Sequence, residues 1–182
     1  MLILPPPEVA QQIDPLRAKY VPRSFAICPT HISLSDPLSQ DMTPGLQEEV
    51  GHILNAISPF QLHFDRLQAS TEYAGVYYPI NPQDPIDALK QALHTSSAFN
   101  GQVYRRRKIP AHMTVAEFLS IEDSFMLCEE LQGTAPSGSF ICDRLSFVVP
   151  DERFCFQEVG TFLLGSTQES EGSRHRPHEG KH

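Results

Sequence analysis

Pro29-Thr30-His31-Ile32-Ser33-Leu34 decides how this chain is read, because the same pattern returns as Pro110-Ala111-His112-Met113-Thr114-Val115. Both copies run proline, small or hydroxyl residue, histidine, apolar, hydroxyl, apolar. Polar residues alternating with apolar ones have the period of a half-buried strand. Each strand therefore turns its imidazole and its hydroxyl to one face and its aliphatic residues to the other. Two such strands at one cleft surround a small anion with His31, Ser33, His112 and Thr114. Imidazoles exchange protons close to neutral pH, and hydroxyls donate hydrogen bonds to anionic oxygens.

The flanking sequence supplies a repeated order of elements. Leu2 to Leu4 is a first strand. A helical pattern of Val9, Ile13 and Leu16 follows Pro5-Pro6-Pro7, with Pro15 expected to kink or restart it. Phe25 to Leu34 is expected to be the strand of the first motif. Thr43-Pro44 opens a helix faced by Leu46, Val50, Ile53, Leu54 and Ile57. Phe60 to Phe64 and Ala74 to Ile80 read as strands. Pro85 opens a helix with Ile86, Leu89 and Leu93 on one stripe, closed by a turn at Asn100-Gly101. After the second motif strand, Ser120 and Asp123 start a helix whose buried candidates are Phe125, Cys128 and Leu131 or Leu127. Phe140 to Val149 and Cys155 to Leu164 complete the list of strands.

Each motif strand is thus followed by a helix and two strands. The repetition predicts an α+β fold of two similar lobes related by a pseudo-twofold axis. Residues 1–165 form one bilobal domain in this reading. Residues 166–182 are rich in Ser, Gly, Glu and His without apolar periodicity, as in a disordered tail. That tail carries His175, His178 and His182, which are not site candidates.

Composition narrows the class. A length of 182 residues with 40% hydrophobic content suits one sizeable core. No apolar run reaches the roughly 20 residues that span a bilayer, and the N-terminal residues lack the form of a secretory signal. A cytoplasmic protein with no membrane partner is expected. The net charge of −8 argues against an extended groove for long nucleic acid. Cys28 stands three residues before His31, a spacing open to metal ligation, but no second ligand cluster accompanies it. No metal or other cofactor is expected.

The pair His31-Ile32-Ser33-Leu34 and His112-Met113-Thr114-Val115 resembles the two histidine–x–threonine/serine–x motifs of the 2H phosphoesterase superfamily. That group includes the 2′-5′ RNA ligase-like proteins and the cyclic nucleotide phosphodiesterases. The resemblance spans most of residues 1–164; Ser33 stands where threonine is commoner but still supplies a hydroxyl donor. It implies two antiparallel sheets around a central cleft with helices outside. It also implies metal-independent opening of a 2′,3′-cyclic phosphodiester to a 2′-phosphomonoester. His31 would then be the acid and His112 the base, with Ser33 and Thr114 holding the non-bridging phosphate oxygens. The substrate would be a small cyclic nucleotide or the terminal cyclic phosphate of an RNA, taken by a monomer. Processing or ligation of 2′-5′ linked RNA is an alternative, and a nucleotide-binding module without turnover is another.

Three further residues are candidates for substrate binding. Arg105-Arg106-Arg107-Lys108 is the only strong basic cluster, and in an extended segment Arg105 and Arg107 share a face. Tyr77 alternates away from the apolar face of Val76, Tyr78 and Ile80, which leaves it for the cleft, where an aromatic ring can stack on a base. Phe25 and Phe118 read as core. His52, His63 and His94 have no matched partners and read as structural.

Overall fold

The described residues form three sets of antiparallel strands with helices packed against them. The computed structural model describes residues 1–38, 40–72, 74–99 and 109–165. The Asn100-Gly101 turn, Arg105, Arg107 and the tail at 166–182 lie outside the described residues. The elements are β1 (Leu2–Ile3), α1 (Pro7–Tyr20), α2 (Pro22–Ile27), β2 (Ile32–Ser33), α3 (Pro44–Asn55), β3 (Phe60–Phe64), β4 (Gln68–Ala69) and β5 (Gly75–Pro79). They continue with α4 (Gln83–Leu93), a 3-10 turn (Ser97–Phe99), β6 (His112–Glu117), α5 (Ile121–Leu131), β7 (Gly138–Cys142), β8 (Arg144–Pro150) and β9 (Phe156–Leu163).

One sheet has the order β2-β1-β8-β9, a second β3-β7 and a third β4-β5-β6. An antiparallel bridge between His63 and Asn81 links the last two, with backbone hydrogen bonds of 2.7 and 3.0 Å. β3 and β4 therefore follow one another along the same side of the segment that begins with β5. The two motif strands, β2 and β6, are each the edge of a different sheet, and they approach one another.

Helix α1 packs on β6, α3 on α4 and β9, and α5 on β4 and β5. The apolar stripe of each helix explains these contacts. Val50 and Leu54 of α3, and Ile86, Leu89 and Leu93 of α4, are buried in one core with Leu62, Phe64, Val76, Tyr78, Met113 and Leu145. The helix starts follow their sequence signals. Thr43 accepts the amide of Leu46 at 3.4 Å, and Ser120 accepts that of Asp123 at 3.0 Å while donating to its carboxylate at 2.7 Å.

Several expectations are corrected. α1 runs unbroken through Pro15, which sits on the exposed side together with Gln11, whose carbonyl the proline leaves without its helical donor. Water can serve a carbonyl on that side. The segment at Phe25 is helical, so the first motif strand is confined to Ile32–Ser33. The run from Phe140 to Val149 is two strands, β7 and β8, parted at Asp143. Phe118 is 87% exposed at a φ of 61°, and Phe125 is 47% exposed, so neither is core. No helix among the described residues is long and apolar enough to cross a membrane.

Candidate active site

In both motifs alternation does what the spacing predicts. Ile32, Leu34, Met113 and Val115 are fully buried, while His31, Ser33, His112 and Thr114 are half-buried on the opposite faces. These four polar side chains line one cavity of about 500 Å³. That volume suits a ligand of nucleotide size.

The two histidines are held by the same local device. Nδ1 of His31 lies 2.8 Å from the carbonyl of Pro29, and Nδ1 of His112 lies 2.9 Å from that of Pro110. A carbonyl only accepts, so Nδ1 carries the proton and donates. The neutral ring then keeps its basic lone pair on Nε2, the nitrogen that takes or gives a proton in acid–base work.

The residue before each histidine is clamped by a side chain from the preceding helical region. Asp14 of α1 accepts both the amide of Thr30 at 3.0 Å and its hydroxyl at 2.6 Å. Gln83, the first residue of α4, accepts the amide of Ala111 at 2.8 Å through Oε1 and donates to its carbonyl at 3.0 Å through Nε2. Lys90 of α4, almost fully buried, donates to the carbonyl of Ile109 at 3.1 Å and pairs with Asp87 at 3.4 Å. Both histidines are thus carried on backbone whose amides are tied to a helix, which limits how far the rings wander.

Arg17 joins the two halves of the site. It is 2% exposed, lines the cavity, and donates to Thr114 O at 2.7 Å and to Cys28 O at 3.0 Å. One guanidinium therefore holds the carbonyl two residues past His112 and the carbonyl three residues before His31. Its planar fork can serve both acceptors while keeping its charge next to the cavity. The sequence signal was a basic residue on the buried face of α1, four positions beyond Ile13 and eight beyond Val9. The stripe turned on Arg17 rather than on Leu16, which is only partly buried.

Cys28, Asp36 and Glu117 also line the cavity. Burial pushes the Cys28 thiol up to about 11, with the charge of Arg17 working against that rise. Asp36 lies in the loop after β2 and reaches the cavity wall. Glu117 escaped the alternation argument because β6 is bulged. Tyr77 pairs with Thr114 but the residue before it, Val76, pairs with Ala116, so β6 carries one residue more than β5 between those pairs. Val115 and Ala116 both go to the core, and Glu117 joins His112 and Thr114.

Tyr77 stands on the face of β5 that carries His112 and Thr114 on β6, with its ring centroid 5.4 Å from that of His112 at 63°. It flanks the histidine and is not part of the cavity wall. Tyr78 points the other way into the core, edge-on to Phe64. His52 pairs with Glu48 on the surface of α3, His63 lies in β3 and His94 caps the carbonyl of Lys90, so none of the three joins the site. Among the described residues no group of three or more His, Cys, Asp or Glu could hold a metal ion.

The model of the 2′-5′ RNA ligase superfamily matches residues 5–153. Among solved structures, E. coli LigT complexed with 3′-AMP is similar over 90% of this chain and 95% of its own, with a TM-score of 0.59 at 18% identity. E. coli LigT complexed with NADP+ is similar over 90% and 94%, with a TM-score of 0.56 at 17% identity. TT0787 of Thermus thermophilus is similar over 90% and 96%, with a TM-score of 0.54 at 10% identity. At these identities the likeness is one of fold. No curated protein matches the sequence.

Proposed function

The chain belongs to the 2′-5′ RNA ligase superfamily, and from that premise we propose that it hydrolyses a 2′,3′-cyclic phosphodiester to a 2′-phosphomonoester without a metal. The observation that carries the reading is the convergence of two histidines, each tethered through Nδ1 to a proline carbonyl, with one serine and one threonine on a single cavity. Hydrolysis of a cyclic phosphodiester needs a water deprotonated on one side of phosphorus and an alkoxide protonated on the other. A neutral and a protonated imidazole supply both. His112 takes the proton of the attacking water, and His31 gives one to the leaving 3′ oxygen. The Ser33 and Thr114 hydroxyls donate to the non-bridging oxygens, and the Arg17 charge next to them favours the extra negative charge of the transition state.

Two edge strands carrying the same motif, each preceded by a clamped residue, support a duplicated fold with two lobes related by a pseudo-twofold axis. The cavity volume and the net charge of −8 favour a mononucleotide or an RNA end over a long strand. Intact histidines and hydroxyls favour turnover over mere binding. The test is turnover by purified His31→Ala and His112→Ala variants. Each is expected to lose at least about 10³-fold in kcat while keeping the wild-type melting temperature within a few degrees. Wild-type turnover in either variant would overturn the reading.

A further inference from the structure

This inference rests on the phosphodiesterase reading and concerns what the site does with its product. The bulge in β6 uses one residue of register to turn Glu117 onto the face of His112 and Thr114. Bulges beside active sites commonly re-aim a side chain in this way. The Glu117 carboxylate is half-buried at the cavity wall, where Asp36 adds a second carboxylate. Arg17, the one arginine on that wall among the described residues, donates to the carbonyls of Thr114 and Cys28, and its pull on a bound anion stands apart from what Glu117 adds. A carboxylate on the wall of a phosphate site repels the anion, and the repulsion grows with the charge the anion carries.

Ring opening changes the charge of the ligand. Water adds to phosphorus, one ring P–O bond breaks, and the released oxygen takes a proton. A diester with one negative charge becomes a monoester whose second ionisation lies near pH 6, so at neutral pH it carries close to two. Repulsion from a fixed carboxylate scales with ligand charge and therefore about doubles on turnover. The geometry points to Glu117 as a specificity-determining residue that discriminates by charge. It accepts the singly charged phosphodiester and expels the doubly charged phosphomonoester, as product and as competitor.

The experiment compares wild type with Glu117→Gln, which keeps volume and removes charge. The inhibition constant of adenosine 2′-monophosphate and the KM of adenosine 2′,3′-cyclic phosphate are measured at pH 7.5. Calorimetric binding of the monophosphate to both proteins gives a reading that needs no turnover. The expected result is about tenfold tighter monophosphate binding and only about threefold lower KM, the square-root relation that one charge against two requires. Equal changes for the two ligands, or none, overturn the charge filter even where wild type turns over normally. Tighter monophosphate binding in a protein without turnover keeps the filter and removes the phosphodiesterase reading. Unaltered binding without turnover removes both.

Discussion

At His31 and His112 the ring tautomer is set by a contact two residues away. A proline carbonyl holds Nδ1–H at 2.8 and 2.9 Å, and proline supplies a backbone with fixed φ and no donor of its own at that point. The thiols nearby follow a different logic. Burial pushes Cys28 from 9.0 up to about 11 and Cys142 up to about 12, and it raises Tyr78 as well. A group whose folded-state pKa is raised contributes stability that is fully present below its unfolded value and lost as pH rises through the folded one. Folding stability is therefore expected to fall between pH 9 and 12. The denaturant midpoint at about pH 10.5 should lie below that at about pH 8, and Cys28→Ala should flatten the difference. A midpoint unchanged over that range would contradict the burial of these groups.

At the scale of elements, the motif strands are short and depend on helices for their placement. β2 has only two residues, so Asp14 on α1 does for Thr30 what a longer ladder would have done. Gln83 does the same for Ala111 from the start of α4. Removing either clamp leaves buried polar backbone without its partner, at a cost of about 1–3 kcal/mol. Asp14→Ala and Gln83→Leu are each expected to lower stability by about that amount. They should also lower kcat about tenfold with little change in KM, because a misplaced imidazole harms the reaction more than binding. Loss of stability with kcat unchanged would make the clamps purely structural.

The same elements show what could be read from sequence and what could not. Period-two alternation placed His31, Ser33, His112, Thr114 and Tyr77 on their faces, and the Ser120 and Thr43 signals placed two helix starts. Alternation failed at Glu117 because a bulge is a property of the pairing with β5, which one strand's sequence does not carry. α2 is not legible in the sequence, because its six residues are too few to display a helical period. Arg17 is not legible in the sequence, because an arginine on an apolar stripe looks like a boundary until its two carbonyl acceptors, far apart in sequence, are brought together.

For the molecule as a whole, the strands cross over between the halves. β3, β4 and β5 follow the first motif but join the sheets linked to the second, while β8 and β9 follow the second motif and complete the sheet of the first. After each motif strand the chain runs one helix and then three strands, one strand more than the two expected, yet each half is built partly from the other's strands. Neither motif strand can shift without disturbing a core made by both halves, and Arg17 ties the two across the cavity. The site is thus a product of the full topology, which is why two short signatures far apart in sequence amount to one set of groups.

The central claim is that these paired histidines open a cyclic phosphodiester with no metal. Phosphorus NMR of a 2′,3′-cyclic nucleotide mixed with the purified protein and excess EDTA tests it directly. The account predicts replacement of the cyclic phosphate signal by that of the 2′-monophosphate, at a rate unaffected by the chelator. A cyclic phosphate signal that persists unchanged for each of the four nucleotides, with the protein folded, would contradict it.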